Sequence, residues 1–473
     1  MHRIRRFALL VAGLVSSATP ESIKAQQPDT LRLTIGDAVT RAMRESDEVR
    51  VASAQIELTE AQITTARASG LPQARLSSSY SQVLRNARAQ IVGQTIFGQN
   101  YNYTGNINIS QTLFQGGRIF AGTRAAGDAR NVARFSRAET QAQVSVDVQR
   151  AYLTSQLARE LLQIQERNVE LATQRLALVQ QLEGGGRASR YDVLRARVER
   201  SNLEPALLEA RSAVELADIE VRRVLNIPPQ QPFALTSVLD SAALRDVTRE
   251  VSGDSASDPV RSSERAAIAT ADGRRESVRV ARADLLPTIT TFFQTGYTAL
   301  PSNNGFPTSW GRTSNALCPP GSPDTRVCQN NGWFQDRSFG LQVAWPLFDG
   351  LRTKGAIDLA QAQEKLARVQ LDQERERVAV DRAQAWAEFS RARAVFEAQQ
   401  QNVAEAEEAY KIAALRFERG LSTQLEVSDA QFLLLTARTN GARATTEFYL
   451  AAADLARARG LAIPLPPTRP ISR

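Results

Sequence analysis

Few residues of this chain have types and spacing that suit chemistry. The only histidine is His2, so the rest of the chain offers no imidazole as a general base or metal ligand. No nucleophile is paired with a recognisable base, and no group of His, Cys, Asp and Glu has the spacing of metal ligands. The sequence therefore predicts a protein that is not an enzyme and holds neither a metal nor another cofactor.

The two cysteines, Cys318 and Cys328, are separated by nine residues rich in proline. This spacing fits a loop closed by a disulfide in an oxidising compartment. Two free thiols are the alternative, and a zinc site is disfavoured because no histidine accompanies the pair. We expect Cys318 and Cys328 to form a disulfide.

Three acids follow two glycine turns. The patterns Ser189-x-x-Asp192 and Thr423-x-x-Glu426 match a capping box, in which the side chains at both ends bond the free amides of a helix start. The helix dipole also favours an acid there. Capping thus competes with any functional role for Asp192 and Glu426. Asp429 lies beyond the box, one helical step from Glu426, and is the better functional candidate.

Residues 1–25 have the pattern of a secretory signal peptide. Three arginines precede the apolar run 7–15, and small residues lead to a cleavage site after Ala25. Cleavage after Ala18 is an alternative, but no cysteine follows either site, which disfavours a lipid anchor. We expect an exported protein.

Composition excludes several classes of protein. The net charge is +8, or +5 without residues 1–25, which carry four cations and one acid, and no block of like charge suggests nucleic acid. At 42% hydrophobic and 6% aromatic residues, the chain is typical of long exposed helices rather than compact cores. No apolar run reaches the ~20 residues of a membrane-spanning helix, so entry into a membrane would require strands.

The two halves of the chain repeat each other. Segment 109–118 aligns with 343–352 at an offset of 234 residues, and the same offset relates Gly186 to Gly420. The Leu-Pro turns upstream are only 215 residues apart, so the second copy has an insertion of 234 − 215 = 19 residues, and both cysteines lie in it.

The repeat divides the chain into segments. Each copy is expected to contain a helix, a β-hairpin and a long helical hairpin. We expect a signal peptide at 1–25, a first repeat at 26–227 (first helix about 36–69, β-hairpin 72–114, helix tip near 184–190), a linker or equatorial segment at 228–260, a second repeat at 261–461 (first helix about 261–284, β-hairpin 287–348, helix tip near 419–423) and a C-terminal tail at 462–473.

The helical hairpins are too long for a compact domain. No proline interrupts about 118–182, and Ile164, Leu171 and Leu178 recur every seven residues in a coiled-coil-like stripe. At 1.5 Å per residue, such a helix is a rod of about 100 Å. The second copy predicts a similar helix over about 351–418.

The strands predict a membrane barrel shared between protomers. Apolar and polar residues alternate in 105–114 and again in 339–345. A barrel in lipid requires this alternation, although a soluble sandwich shows it too. Four strands cannot close a barrel, because closed barrels begin at about eight strands. Several copies must therefore contribute to one barrel.

Together these motifs resemble the TolC-like outer-membrane efflux protein family. The resemblance covers nearly all of the mature chain. No single motif is specific to the family, but the same motifs occur twice in the same order, and this repetition is specific. The resemblance rests on the segment 33–42, the Leu-Pro turns at Pro72 and Pro287, the Leu-Phe-x-Gly steps at Gly116 and Gly350, and the glycine turns at Gly186 and Gly420.

The resemblance implies a mixed, mainly α fold in which a homotrimer shares one β-barrel, four strands per protomer, on a long coiled-coil-like periplasmic tunnel. It implies an outer-membrane location with a long periplasmic extension. The function would be a passive exit duct of a tripartite efflux pump or type I secretion system, gated at the periplasmic helix tips. The implied partners are a periplasmic adaptor (membrane fusion protein), an inner-membrane transporter and outer-membrane lipid.

The resemblance also implies roles for tip residues. The glycine turns would contact the adaptor, although glycine equally serves as a helix C-cap. Acids beyond the turns would line the pore constriction or hold the tips shut, and a ring of them favours cations. The docking candidates are Gly186, Gly420 and Leu421, and the constriction candidates are Asp192, Glu426 and Asp429.

Two positions depart from the family pattern. Ser422 stands where a basic gate residue is frequent, and Phe417 stands where a tyrosine is frequent. Arg190 or Arg419 would have to supply the missing ion pair. A periplasmic coiled-coil adaptor or scaffold is the alternative function, but it would have one helical hairpin and not two strand–helix copies.

Overall fold

The computed structural model describes most of the mature chain. The signal peptide predicted at 1–25 and the predicted disulfide Cys318–Cys328 lie outside the described residues. The structure describes residues 30–84, 101–239, 244–253, 258–299, 301, 306–307, 309–310, 332–465 and 468–470.

Helices dominate the described residues. Two of them are 67 residues long, and each is followed by a partner of 36 residues that returns along it. The helices are α1 Ile35–Glu45, α2 Asp47–Ala68, α3 Arg118–Gly184, α4 Arg190–Leu225, α5 Leu244–Val251, α6 Ser262–Ala283, α7 Arg352–Glu418 and α8 Gln424–Arg459.

The strands in the described part of the chain form one large sheet and two small ones. The large sheet has the order β2-β3-β6-β8, with antiparallel neighbours, and β7 adds a short parallel pairing to β8. The strands are β1 Leu31–Leu33, β2 Gln73–Gln82, β3 Tyr101–Gln115, β4 Phe233–Leu235, β5 Ser237–Leu239, β6 Thr288–Ala299, β7 Ser309–Trp310, β8 Gly332–Ala344 and β9 Thr468–Pro470.

The single first helix expected over about 36–69 is wrong. Ser46 ends α1 with an extended backbone, and its hydroxyl accepts a hydrogen bond from the Val49 amide at 3.3 Å to begin α2. A serine side chain that caps a new helix competes with continuation of the old one. No glycine or proline lies near the break, so the sequence pattern alone did not reveal it.

The alternation expected over 105–114 is interrupted near its end. Between Thr112 and Phe114 the register of β3 against β6 shifts, which leaves Leu113 as the extra residue of a bulge. In β8, the apolar side chains Phe339, Leu341 and Val343 are exposed. Strand β8 ends before Pro346, which cannot donate a ladder hydrogen bond.

The long helices α3 and α7 connect two different helical layers. In the half next to the sheet, α3 packs between α2 and α6, and α7 packs against α6. In the half away from the sheet, α4 packs on α3, and α8 packs on both α7 and α3. The sheet and the two helix tips therefore lie at opposite ends of the same rods, which are about 100 Å long.

The main hydrophobic core lies between these halves. Here β1 pairs with β4, β5 pairs with β9, and buried residues of several helices pack together. The Tyr152 hydroxyl donates to the Leu33 carbonyl at 3.0 Å and accepts from the Ser237 amide at 3.1 Å. Arg459 and Asp258 form a buried ion pair at 2.6 Å. The segment 228–260, expected to be a linker or an equatorial segment, contributes β4, β5 and α5 to this packed middle region.

Within the described residues, no helix is both long enough and apolar enough to cross a membrane.

Candidate site at the helix tips

The two helix tips have the same backbone. Gly186 and Gly420 adopt left-handed conformations, with φ of 73° and 74°. In each turn the next amide bonds back across the helix end, from Arg187 to the Leu182 carbonyl and from Leu421 to the Arg416 carbonyl, both at 2.8 Å. This is the C-cap geometry that favours glycine. Because added Cβ atoms would meet nothing within 4 Å, backbone conformation rather than space requires the glycines.

Both capping boxes are present. The Asp192 carboxylate accepts from the Ser189 amide at 2.9 Å, and the Ser189 hydroxyl accepts from the Asp192 amide at 3.2 Å. The hydrogen bond from the Ser189 hydroxyl, supported by the Ser189 amide, lowers the pKa of Asp192. In the second tip the corresponding bonds between Thr423 and Glu426 are longer, at 3.4 Å each. Asp192 and Glu426 therefore both serve as helix caps.

Asp429 differs from these two acids. Its side chain is exposed one turn into α8, beyond the box. Across the described residues, the carboxylate has no hydrogen-bond or ion-pair partner. An unpaired exposed carboxylate keeps its charge available to a passing ion or a second chain.

A buried arginine lies behind Asp429, and sequence reasoning missed it. The Arg175 side chain on α3 is only 11% exposed. Its guanidinium donates to the Ser428 hydroxyl at 2.9 Å and to the Gln431 amide oxygen, both on α8. It also pairs with Glu199 on α4 at 3.6 Å. Arg175 therefore joins the first helical hairpin to the second, at the residue next to Asp429.

Further polar contacts complete this Arg175 network. Gln431 donates to Asn168 at 2.5 Å, and both side chains are buried. Ser428 also donates to Glu199 at 3.3 Å. Burial lowers the pKa of Arg175, while the charge of Glu199 opposes that shift. The Glu199 carboxylate, the Ser428 hydroxyl and the Gln431 amide oxygen thus bind the buried cation, and Asn168 holds Gln431 in place.

The coiled-coil-like stripe of α3 contains two polar residues that indicated a buried polar contact. Asn168 and Arg175 are seven residues apart, and they alternate with Leu171 and Leu178 in the predicted stripe. Polar residues at such positions commonly fix register and partner choice. The buried seam includes Asn168, whereas Leu178 is exposed, because α3 packs on α4 and α8 together and not on one partner.

Arg190 and Arg419 were the two basic residues that could replace the ion pair missing at the helix tips. In the described part of one chain, neither Arg190 nor Arg419 forms an ion pair. Ser422 instead donates to the Ala413 carbonyl at 3.3 Å, which ties the second turn to its own helix.

The fold and these sites define a class of protein: an elongated two-repeat chain with a sheet at one end and paired helix tips at the other. The family model for outer membrane efflux proteins matches residues 38–226 and 263–461. The chain belongs to the outer membrane efflux protein family, and its location is the outer membrane. The mixed, mainly helical fold class predicted from sequence is confirmed.

Individual relatives support the same assignment. Protein CyaE of Bordetella pertussis is 25% identical over 453 residues, which are 91% of this chain and 88% of CyaE. The outer membrane channel CmeC of Campylobacter jejuni superposes with a TM-score of 0.70 at 16% identity, covering 90% of this chain and 85% of CmeC. The outer membrane protein VceC of Vibrio cholerae superposes with a TM-score of 0.68 at 18% identity, covering 91% and 97%. At these identities the structural matches show the fold.

Proposed function

We propose that three copies of this chain form a passive exit duct in the outer membrane, which carries out no chemistry itself. The observation that carries the proposal is the sheet order: among the described residues, the outer edge of β2 is unpaired, and the outer edge of β8 is paired only at its first two residues, by the two-residue strand β7. Unpaired backbone groups are costly in lipid. Pairing β2 of one copy with β8 of the next would satisfy both edges, and three copies would close a ring of twelve strands.

The helices support the same arrangement. In the helical layer next to the sheet, the helices lie in the order α2, α3, α6, α7. Helices α2 and α7 are therefore the two outer helices of this layer. Both outer helices expose large apolar side chains, as does α4. These are Val51 and Leu58 on α2, Leu208, Leu216 and Ile219 on α4, and Leu359, Leu366 and Val380 on α7. Large apolar side chains exposed on outer helices are typical of subunit interfaces.

The helix tips are proposed to gate the duct. Three copies of Asp429 would form a negative ring at the inner mouth, with Glu426 and Asp192 beside it as helix caps that add charge. The Arg175 network would hold α8 against the first hairpin and thereby keep this ring narrow. Breaking its hydrogen bonds would release α8 and widen the mouth.

The proposed duct serves a tripartite efflux pump or a type I secretion system. A periplasmic adaptor would contact the exposed turns at Gly186, Gly420 and Leu421, and an inner-membrane transporter would supply the energy. Leu421 suits such a contact because it is a large apolar side chain exposed at the tip. A periplasmic adaptor function for this chain itself is disfavoured by the match of both repeats to the outer membrane family.

Native mass spectrometry of protein extracted from outer membranes tests the assembly. We expect a particle with three times the mass of the mature chain, stable in mild detergent. A monomer or a dimer under the same conditions would contradict the ring. Ser77 lies in the middle of β2. The Ser77→Pro variant removes a backbone N–H that donates hydrogen bonds in a sheet, and it should therefore lower the amount of trimer that is detected.

A further inference from the structure

The corner between β8 and α7 is built differently from its counterpart in the first repeat. In the first repeat two glycines, Gly116 and Gly117, adopt left-handed conformations with φ of 57° and 80°. In the second repeat the equivalent residues are Gly350 and Leu351, with φ of 69° and 67°. A leucine therefore occupies a backbone conformation that bulky L-residues avoid.

Nothing within the described part of the subunit compensates for this strain through packing. The Leu351 side chain is 64% exposed, and the neighbouring Leu347 and Phe348 are 85% and 83% exposed. A leucine that stands at a glycine-like position and faces outward indicates that its side chain has a use outside the subunit.

The corner is held by side-chain hydrogen bonds. Asp349 accepts from the Thr353 amide at 2.9 Å and also from the Thr353 hydroxyl, which caps the start of α7. The indole of Trp345 donates to the Leu285 carbonyl at 3.2 Å. The three apolar side chains are therefore displayed by a fixed turn and do not hang from a loose loop.

Two cations follow the apolar side chains. The Arg352 side chain is 80% exposed and has only a 3.8 Å contact with Asp349, and Lys354 is exposed on the same first turn. In the first repeat, Arg118 is paired with Asp284 and a phenylalanine, Phe120, stands in place of the lysine. Of these two corners, only the second combines free positive charge with exposed apolar groups.

We propose that this second corner, formed by Leu347, Phe348, Leu351, Arg352 and Lys354, binds an anionic phospholipid at the surface of the bilayer. Its apolar side chains would enter the acyl region, and its two cations would contact the headgroup phosphate. The corner continues the exposed apolar row of β8 that the proposed function places in lipid. The inference therefore rests on the proposed function.

Fluorescence quenching by brominated lipids tests the proposal. The other three tryptophans, Trp310, Trp333 and Trp386, are replaced by phenylalanine, and Trp345 is kept because its indole holds the corner. Phe348→Trp supplies the reporter, and its quenching is taken as the difference from the same protein with Phe348. The trimer is reconstituted in phosphatidylcholine vesicles that contain either brominated phosphatidylglycerol or brominated phosphatidylcholine. We expect stronger quenching by phosphatidylglycerol.

Two pairs of substitutions test the role of the cations. The double substitution Arg352→Gln and Lys354→Gln should lower the binding constant of phosphatidylglycerol relative to phosphatidylcholine by about fivefold or more. The charge-preserving pair Arg352→Lys and Lys354→Arg should retain it.

A second reporter separates the possible failures. Phe339→Trp in the same background lies in the middle of β8 and reports contact with lipid as such. Quenching by lipid at position 339 but not at position 348 would overturn the lipid site and leave the proposed duct intact. If, in that case, the indole at position 348 were also protected from quenching by aqueous iodide, a second copy of the chain would be the occupant of the corner. Quenching at neither position would overturn the proposed insertion of the sheet into the membrane. Equal quenching of 348 by both lipids would refute headgroup selectivity.

Discussion

Asp429 is the residue whose charge should matter most for passage through the proposed duct. Glu426 and Asp192 accept amide hydrogen bonds as helix caps, whereas the Asp429 carboxylate is exposed and unpaired within the described part of one chain. Charge that is not engaged in a cap can act on a permeating ion.

Replacement of Asp429 by Asn should reduce cation selectivity, because it removes three charges from the proposed ring while keeping side-chain size. Reversal potentials in a salt gradient across a planar bilayer measure this. Glu426→Gln is the matched control, since glutamine preserves a capping box and should change selectivity less. An Asn variant that keeps the parent's reversal potential would exclude Asp429 from the constriction.

The predicted disulfide between Cys318 and Cys328 is also a claim about single residues. Peptide mapping without reduction should recover the two cysteines in one linked peptide, because an exported chain folds under oxidising conditions. The same digest after reduction should show the linked species disappear. Quantitative alkylation of both thiols in the unreduced protein would refute the pairing.

At the scale of elements, the Arg175 network is the polar contact nearest the tip that joins α8 to the first hairpin; farther from the tip, α8 is also held by the Arg150–Asp454 ion pair. Substitution of Arg175 by Met should weaken local stability of the tip by about 2–3 kcal/mol, because buried partners lose a charged donor. Faster amide hydrogen exchange in the first turns of α8 would report this.

Arg200→Met is the control for that variant. Arg200 pairs with Glu204 at 2.9 Å on the exposed face of α4, and such pairs are worth about 0.3–0.5 kcal/mol. Equal exchange rates in the Arg175→Met and Arg200→Met proteins would mean that the network does not restrain α8.

Elements with local signals were predictable from sequence. The glycine turns and capping boxes depend on residues within one turn, so patterns around Gly186 and Gly420 predicted them. The Arg175 contacts join residues 253 and 256 positions apart, and no local pattern specifies which polar side chains will meet. The break at Ser46 was missed for a different reason, because a single capping serine ended α1 where no glycine or proline marks a stop.

At the scale of the whole molecule, the two repeats explain why one chain can serve both ends of a long structure. The offset of 234 residues places a strand-to-helix corner and a helix tip at the same separation in each copy. Two helices of equal length, α3 and α7, follow from it. The repeats differ where function is proposed: a leucine replaces glycine at the corner, and the second tip adds Asp429.

The central claim is that the assembled protein conducts ions through a mouth held narrow by its helix tips. Single-channel recording in a planar bilayer tests it most directly. We expect small, cation-selective conductance from the parent protein and clearly larger conductance from the Arg175→Met variant, because releasing α8 would widen the mouth. Absence of conductance from both correctly assembled trimers would contradict the duct, and identical conductance would contradict the proposed gate.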